Sequence, residues 1–304
     1  MGNQCSFPAQ QCLHRGGVWP LPPTNEHQID ISEWADMDRK LIRPSVQGGA
    51  VNMSSTGATD DSSHFNIHDA RRGDQWLSAN HSYLVAEAGV YNEVENHKLD
   101  NGAFYSGQMR NDQPHGRGEQ VWKDGTSYVG DWREGKAEGQ GHLTKKDGTS
   151  YKGEWRDGRK HGPGVERLPD GSYYEGHFVE GKKQGKGTFR WEGGATYEGS
   201  FYEDNLHGHG RFKWPDGREY SGQWKRNRMD GQGKFTWADG KVYEGEYKSD
   251  KKHGAGRFSW PDGSEVRGNW VNGKQEGKGW HKGQDGVVKE GMWENGQVVK
   301  WIAV

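Results

Sequence analysis

The first residues of the chain carry groups that could accept acyl chains. Met1 to Ser6 match the pattern M-G-x-x-x-S/T, in which the glycine left after removal of the methionine is N-myristoylated. The chain has two cysteines, Cys5 and Cys12, and both follow closely. Because one myristoyl chain holds a protein at a membrane only marginally, a second acyl chain would make the anchor stable. We predict acylation at Gly2 and Cys5, against the alternative of an unmodified N-terminus with two inert thiols.

Lysines and arginines recur in the C-terminal two thirds of the chain, where a regular repeat predicts loops. Fifteen of these cations, against ten Asp and Glu, would fall in six-residue loops, residues 110–115 and their equivalents, along one long edge of the predicted sheet, and Asp-Gly turns would make the opposite edge acidic. An anionic leaflet attracts each nearby Lys or Arg by about 1 kcal/mol, so a row of them could bind lipid or an acidic partner. The alternative is that these loops are simply solvated. The candidate lipid- or partner-binding residues are Arg159, Lys160, Lys182, Lys183, Arg226, Arg228, Lys251 and Lys252.

Histidines recur at every second repeat and raise the question of a metal site. Neighbouring repeats would lie about 10 Å apart and alternate repeats about 19 Å apart, whereas a zinc–nitrogen bond is about 2 Å long. The sequence therefore predicts no metal site and places these histidines in loops. They are His115, His161, His207 and His253, with Glu138, Gln184, Asp230 and Glu276 at the equivalent positions between them.

No set of residues with the spacing of a catalytic site emerges. The recurring Gly-x-Gly pairs precede predicted strands rather than helices, and the chain has neither a Gly-Lys-Ser/Thr phosphate loop nor a Gly-x-Ser-x-Gly elbow. We therefore expect a protein that is not an enzyme and that uses no cofactor. The formal net charge of -2 gives no reason to expect nucleic acid binding.

The candidate residues lie on a repeat of 23 residues that runs without insertion. A tyrosine opens each unit, a glycine follows two positions later and a large side chain four positions later, and a Gly-x-Gly pair and an Asp-Gly turn complete the unit. Side chains alternate along a strand, so the tyrosine, the glycine and the large ring share one face and each unit is predicted to form a β-hairpin. The tyrosines are Tyr105, Tyr128, Tyr151, Tyr174, Tyr197, Tyr220 and Tyr243, and Val266 takes the eighth place.

Composition supports a sheet built on aromatic packing. Of the 304 residues, 49 are glycine, 15 are tryptophan and 12 are tyrosine, and large rings over small neighbours suit strands better than leucine-rich helices. We predict an all-β fold, an elongated single-layer antiparallel sheet of about eight 23-residue β-hairpin repeats. The array would span residues 105–297, with caps at residues 81–104 and 298–304. No apolar run is long enough to predict a transmembrane helix.

The N-terminal region is built differently from the repeats. Residues 1–80 are predicted to be largely disordered, and the Gly, Ser, Asn and Asp residues between positions 46 and 74 are typical of a linker. A short amphipathic helix is predicted over residues 31–42, with Asp30 as its N-cap, Glu33 completing a capping box and Pro44 beyond its end. This helix could bind a partner or pack on the sheet.

The repeat resembles a known family. The run from Tyr174 to Gly187, Tyr-x-Gly-x-Phe-x-x-Gly-Lys-x-x-Gly-x-Gly, is similar to the MORN (membrane occupation and recognition nexus) repeat. This sequence departs from the pattern at Met109 and Val266, and again at Lys145 and Leu168, where a second-strand tryptophan is usual. The resemblance implies a β-hairpin array that acts as a scaffold or lipid-associated module in junctional, ciliary and cytoskeletal proteins. It does not by itself imply catalysis.

These observations predict a non-enzymatic scaffold or tether at the cytoplasmic face of a membrane. It would be acylated at Gly2 and Cys5 and would use its array to contact protein partners and anionic phospholipid. The alternative is a structural component of a cilium or microtubule-based assembly, since radial-spoke head proteins resemble this region in repeat type. Because an open sheet ends in edge strands, self-association into a homo-oligomer is a further expectation.

Overall fold

The computed structural model describes residues 91–302, and every regular element in this part of the chain is a β-strand. Each strand pairs antiparallel with the strands before and after it, so the nineteen strands form one open sheet in chain order. This confirms the predicted all-β sheet of hairpin repeats. The strands are β1 Asn92–Lys98, β2 Phe104–Arg110, β3 Gln113–Val121, β4 Ser127–Arg133, β5 Lys136–Thr144, β6 Ser150–Arg156, β7 Arg159–Arg167, β8 Tyr173–Val179, β9 Lys182–Arg190, β10 Thr196–Tyr202, β11 Asn205–Lys213, β12 Glu219–Lys225, β13 Arg228–Thr236, β14 Val242–Lys248, β15 Lys251–Ser259, β16 Glu265–Val271, β17 Lys274–Lys282, β18 Val288–Glu294 and β19 Gln297–Ile302.

A continuous stack of rings covers one face of the sheet, which we call the aromatic face. From Tyr128 onward, each repeat tyrosine meets the large ring of its own repeat and that of the next. Between Tyr105 and Trp270 the ring centroids lie 4.9 to 5.7 Å apart and the ring planes cross at 76 to 90°. Aromatic pairs favour this edge-to-face geometry. The rings are buried, so this stack is the core of the sheet.

Two glycines in each repeat leave the space that the tyrosine ring needs. In the fifth repeat Gly199 of β10 lies opposite Gly210 of β11, and the Tyr197 ring covers both residues. A Cβ atom at Gly210 would lie 2.2 Å from the Tyr197 hydroxyl oxygen and 2.4 Å from carbons of its ring, which is too close for any side chain. The hydroxyl donates a hydrogen bond to the Ser200 carbonyl oxygen at 3.0 Å. The tyrosines therefore account for much of the glycine content.

The two strands of each repeat are joined by a two-residue turn, and these turns form the turn edge of the sheet. In the β4–β5 turn, Glu134 and Gly135 have φ values of +49° and +76°, as in a type I′ turn, which matches the twist of a hairpin. The sequence predicts a six-residue loop here, spanning residues 110–115 in the first repeat. That prediction is wrong, because a type I′ turn reverses the chain within two residues and leaves the other positions in strands.

Successive repeats are joined at the opposite edge, the loop edge, by a three-residue loop. In the β3–β4 loop, Gly125 has a φ of +87° and its N–H donates to the Trp122 carbonyl oxygen at 3.0 Å. The Asp124 carboxylate accepts a hydrogen bond from the Thr126 N–H at 2.9 Å. This is the three-residue hairpin loop that needs a left-handed residue at its last position. The predicted Asp-Gly turns are therefore confirmed, with the positive φ at the glycine.

Backbone hydrogen bonds at the turn edge tie each repeat to the next. The Gly135 N–H donates to the Pro114 carbonyl oxygen at 2.9 Å, and an equivalent bond recurs at each later turn up to Gly296 and Gln275, also at 2.9 Å. Each bond joins one repeat to its neighbour. The stability of the array should therefore be a sum of nearest-neighbour contacts, as in other repeat proteins.

A second row of rings covers the aromatic face near the loop edge, but only from β9 to Trp260. Its neighbouring rings lie 4.4 to 5.3 Å apart at angles of 42 to 60°. In the earlier repeats Leu143 and Glu166 replace the phenylalanine, and Lys145 and Leu168 replace the tryptophan. These departures interrupt the second row and leave the tyrosine stack intact. The row consists of Phe189, Trp191, Phe212, Trp214, Phe235, Trp237, Phe258 and Trp260.

The outermost described strands flank the repeats. β1 precedes the first repeat and pairs with β2, and β19 follows the last hairpin and pairs with β18. Residues 1–90 and 303–304 lie outside the described residues, and with them the region predicted to be disordered, the helix predicted over residues 31–42 and both acylation sites. Among residues 91–302 no helix is long and apolar enough to span a membrane.

Gly210→Ala is expected to destabilise the array by about 1–3 kcal/mol, because the new methyl group overlaps the Tyr197 ring. Denaturant titration should show a lower midpoint, and hydrogen exchange should be faster in β10 and β11. Gly193→Ala is the matched control, since nothing lies within 4 Å of its Cβ position, and it should change stability by no more than about 0.5 kcal/mol. Equal stabilities for the two variants would contradict this role of the glycines.

Candidate interaction surfaces

The eight cations predicted to form one basic edge lie in three different places. Arg226 is in the β12–β13 turn. The first residues of four strands point away from the rings, to the side we call the polar face, and they are Arg159, Lys182, Arg228 and Lys251. The second residues of three strands point to the aromatic face, and they are Lys160, Lys183 and Lys252. All eight therefore lie along the turn edge but do not form one ladder, because neighbouring residues of a strand face opposite sides.

Cations flank the two-residue turns on the polar face and lie opposite one another. Arg156 pairs with Arg159 across the β6–β7 turn, and three other hairpins hold two cations in the same place. Like charges directly opposite each other destabilise an antiparallel pair, so this arrangement costs the fold stability. We call the set the cation row, and it consists of Arg133, Lys136, Arg156, Arg159, Lys182, Lys225, Arg228, Lys248, Lys251 and Lys274.

Acidic residues open the turns beside the N-terminal half of the cation row, whereas basic or uncharged residues open the turns beside its C-terminal half. Lys136, Arg159 and Lys182 form ion pairs of 3.1 to 3.5 Å with the acidic residues that open the next turns, Asp157, Glu180 and Glu203. In the three following turns the equivalent residues are Arg226, Ser249 and Asn272. Asp250, beside Ser249, accepts a hydrogen bond from the Met229 N–H at 2.8 Å. The positive potential of the row is therefore concentrated at β12–β17.

Six members of the cation row fall within the predicted basic loops but are not among the eight candidate residues named from the sequence. A predicted six-residue loop gave no reason to pair the residues on either side of it. Had the turn been assigned two residues, the positions directly before and after it would have been recognised as cross-strand partners on one face. The six residues are Arg133, Lys136, Arg156, Lys225, Lys248 and Lys274.

Two of the predicted cations share one carboxylate within the aromatic face. Glu166 stands where later repeats have phenylalanine, and it accepts hydrogen bonds from Lys160 and from Lys183, whose Nζ lies 2.6 Å from its Oε2. Burial alone would raise the pKa of Glu166, but the two ammonium groups hold that pKa at about 2. The Lys183 Nζ also lies 5.3 Å from the Tyr174 ring centroid. The Lys160–Glu166–Lys183 cluster therefore occupies the position that a phenylalanine ring of the second row fills in later repeats.

Lys252 occupies the same position three repeats after Lys183 but has no carboxylate beside it. The residue is only 4% exposed, and among the described residues its Nζ forms no ion pair. Its nearest ring centroids are those of Phe258 at 4.9 Å, Tyr243 at 5.5 Å and Trp237 at 5.9 Å. Phe235 stands at the position of Glu166. Burial lowers the pKa of the Lys252 ammonium to about 8.

The recurring histidines and the acidic or amide residues between them lie in strands, not in loops as predicted. The acidic or amide residues each cap the turn of the following repeat: Glu138 Oε2, for example, accepts a hydrogen bond from the Asp157 N–H at 2.9 Å, and Glu276 Oε2 accepts one from the Asn295 N–H at 3.0 Å. The prediction that these residues lie in loops is wrong, because the turn has only two residues and these positions belong to the strand that follows it. Within residues 91–302 no group of three or more His, Cys, Asp or Glu side chains could hold a metal ion.

A family model described as the MORN repeat matches eight segments of the chain. They correspond to the hairpins from β2–β3 to β16–β17 with their following loops. The matched residues are 105–127, 128–150, 151–173, 174–196, 197–217, 220–242, 243–265 and 267–288. No curated protein matches the sequence.

Solved structures share only a distant similarity with the chain. The G-box domain of the microcephaly protein CPAP is 14% identical with a TM-score of 0.38, over 67% of this chain and 100% of that chain. The TCP domain of SAS-4 from Drosophila melanogaster, in complex with a proline-rich motif of Ana2, is 13% identical with a TM-score of 0.33, over 50% and 83%. The TCP10 domain of Danio rerio CPAP is 13% identical with a TM-score of 0.30, over 68% and 99%. TM-scores this low carry no argument about this chain.

Lys252→Met is expected to stabilise the protein at pH 7 by about 1–3 kcal/mol, because it removes a buried charge whose pKa is about 8 in the folded chain against about 10.5 when unfolded, which outweighs the lost contacts of the ammonium with the surrounding rings. Between these two values the unfolded chain binds more protons, so the wild type gains stability as the pH rises from 8 to 10.5. The difference in the free energy of unfolding between variant and wild type, measured by denaturant titration, should be largest below pH 8 and should shrink as the pH rises towards 10.5.

Lys183→Met is the matched control for Lys252→Met. It takes a partner from the buried Glu166 carboxylate, so it should destabilise the protein, as removal of one member of a buried ion pair does. Loss of stability at pH 7 in Lys252→Met would contradict the description of Lys252 as an uncompensated buried charge.

Proposed function

The chain belongs to the MORN repeat family, whose repeats point to a scaffold that acts through protein or lipid contacts, and on that premise we propose a non-enzymatic scaffold held at the cytoplasmic face of a membrane. In this proposal the cation row contacts anionic phospholipid, and the remaining surface of the array holds protein partners. The observation that carries the proposal is the crowding of like charges on the polar face beside the two-residue turns.

The energetics of the cation row favour an anionic surface as its partner. Directly opposed cations such as Lys225 and Arg228 oppose folding, and a surface that supplies negative charge removes this penalty. Each Lys or Arg near an anionic leaflet contributes about 1 kcal/mol. Beside the C-terminal half of the row the turns open with Arg226, Ser249 and Asn272, where the earlier turns open with carboxylates. It is therefore the part of the array proposed to touch the membrane.

The acylation motif and the cation row would each bind a membrane weakly, and together they would anchor the protein. Gly2 and Cys5 lie outside the described residues, and their modification remains a prediction from the sequence. One myristoyl chain combined with a basic patch is enough for stable anchoring, and a second acyl chain at Cys5 would strengthen it. The array would then be held beside the membrane, with the aromatic face and the loop edge available to other proteins.

The lipid contact is tested with full-length protein made without acylation. The protein should sediment with vesicles that contain phosphatidylserine and not with phosphatidylcholine alone, and added salt should release it. Combining Lys225→Glu, Arg228→Glu and Lys248→Glu should weaken binding at least about ten-fold, since each reversed charge repels the anionic surface.

The matched control reverses three exposed cations on the same face but farther from the turn edge, with Lys186→Glu in the middle of β9 and Arg190→Glu and Lys213→Glu near the loop edge. This variant has the same net charge as the first. If the cation row is the contact, the control should bind more tightly than the row variant. Equal losses would show that net charge alone governs binding, and sedimentation with uncharged vesicles would count against the lipid contact altogether.

The acyl anchor is tested in cells with a C-terminal tag on the wild type and on Gly2→Ala. Wild type should fractionate with membranes and be released by detergent, and Gly2→Ala should move to the cytosol, because the remaining cation row alone binds weakly. If both proteins stay on a detergent-resistant structure, the membrane scaffold is ruled out in favour of the alternative, a structural component of a cilium or microtubule-based assembly.

A further inference from the structure

One exposed serine opens a turn at a position where earlier repeats have an acidic residue. The β14–β15 turn consists of Ser249 and Asp250, and the equivalent first residue of earlier turns is Asp157, Glu180 or Glu203. Ser249 is exposed at the turn edge. Among the two-residue turns of residues 91–302 it is the only first residue with a hydroxyl group, and so the only one that a phosphate ester could make acidic.

The earlier turns show what a negative charge does at this position. Each acidic residue forms an ion pair with the cation 21 residues before it, which is the first residue of a strand in the preceding repeat. The pairs are Lys136–Asp157, Arg159–Glu180 and Lys182–Glu203, at 3.1 to 3.5 Å. The residue 21 positions before Ser249 is Arg228, a member of the cation row. A negative charge on Ser249 would therefore meet Arg228.

The turn that begins at Glu203 has the same backbone as the turn that begins at Ser249. The φ values are +46° and +66° for Glu203 and Asp204, and +49° and +68° for Ser249 and Asp250. In both turns the second carboxylate accepts a hydrogen bond at 2.8 Å from a backbone N–H of the preceding repeat. The backbone therefore directs the Ser249 side chain as it directs that of Glu203.

Cations surround the Ser249 turn. Lys248 and Lys251 lie directly before and after it and face each other across the hairpin. Burial raises the pKa of Asp250, and the nearby Arg228 cation opposes this rise. A phosphate ester carries a charge of about −1.5 to −2 at pH 7 and three acceptor oxygens. On Ser249 it would neutralise about two charges of the cation row.

We propose that Ser249 is a phosphorylation site, that its phosphate pairs with Arg228, and that this charge releases the array from the anionic membrane. The release rests on the membrane contact proposed above, whereas the pairing with Arg228 does not. Phosphorylation is a general means of detaching a basic surface from an anionic leaflet, because it cancels the positive charge that the lipid attracts.

The reaction is a phosphoryl transfer from a nucleoside triphosphate, catalysed by a protein kinase. A bond forms between Ser249 Oγ and the γ-phosphorus, and the bond from that phosphorus to the β–γ bridging oxygen breaks. The nucleoside diphosphate leaves, and the hydroxyl proton passes to a base of the kinase. Hydrolysis of the ester by a phosphatase restores the serine and releases inorganic phosphate, so the charge can be removed again.

Two carboxylates lie near the proposed phosphate, and the array tolerates this arrangement elsewhere. Asp230 Oδ2 accepts a hydrogen bond from the Ser249 N–H at 3.2 Å, and Asp250 is the next residue. In an earlier repeat Glu138 accepts the equivalent hydrogen bond from Asp157, whose own carboxylate still forms its ion pair with a lysine. An acidic group beside an acidic cap is therefore compatible with the fold.

The pairing is tested with full-length protein that carries phosphoserine at position 249, introduced during translation. The second pKa of the phosphate, followed by phosphorus NMR, should lie about half a pH unit or more below the value of about 6 for a free phosphoserine, because Arg228 stabilises the dianion. Arg228→Gln should raise that pKa. The control Lys186→Gln removes an exposed cation of β9 and should leave it unchanged. Equal pKa values in the two variants would overturn the pairing.

The release is tested by sedimentation with phosphatidylserine vesicles. Phosphoserine at position 249 should weaken binding at least about ten-fold. The matched control carries phosphoserine in place of Gly193, which adds the same charge at the loop edge, where most other loops have aspartate. It should bind more tightly, and equal losses would overturn the release. If the unmodified protein does not bind the vesicles, the proposed function and the release both fail, while the NMR result still decides the pairing.

Access to Ser249 in the folded hairpin is tested with ATP and a kinase chosen because it phosphorylates a peptide of residues 244–254. The full-length protein should gain a phosphate at Ser249, located by mass spectrometry. If the kinase modifies the peptide but not Ser249 of the folded protein, the hairpin hides the serine and the proposal is overturned.

Discussion

The edge-to-face contact of the repeat tyrosines with large rings, two rings for each tyrosine from Tyr128 onward, is the interaction on which the rest of the sheet depends. It runs unbroken from Tyr105 to Trp270, and it requires a glycine pair such as Gly199 and Gly210 under each ring. The described strands form one sheet with the rings on one of its faces, so the core of this part of the chain is one layer thick. Each repeat is then stabilised mainly by its neighbours.

The placement of charge follows from this single layer. One face is occupied by rings, so cations at the turn edge either crowd together on the polar face or are buried among the rings. Arg156 and Arg159 illustrate the first outcome, and Lys252 illustrates the second. Where a carboxylate such as Glu166 replaces a ring, buried lysines are compensated, and where a phenylalanine stands they are not. The repeats thus share a backbone but differ in the charge they present.

Most of the fold could be predicted from the sequence, because its period is strict and its turn residues are specific. The tyrosine spacing, the glycine two residues later and the Asp-Gly loops determine the hairpins and their order. The geometry of the turn edge was missed, although Asp157-Gly158 and Asn272-Gly273 carry the signal of a two-residue type I′ turn there, because Glu134 and Ser249 adopt the same positive φ at other turns without an Asn or Asp in that place. That error placed Lys160 and Lys183 in loops. The positions of Glu166 and Phe235 relative to the lysines required three-dimensional pairing as well.

The central functional claim is that the turn edge of the polar face touches an anionic membrane. It is tested most directly by fluorophores on single cysteines at positions 248 and 190, with Cys5 and Cys12 replaced by serine, and with quencher-labelled lipid in phosphatidylserine vesicles. Both positions are exposed on the polar face, at opposite edges. The account predicts strong quenching at position 248 and weak quenching at position 190. Equal quenching at the two positions, or none at position 248, would contradict it.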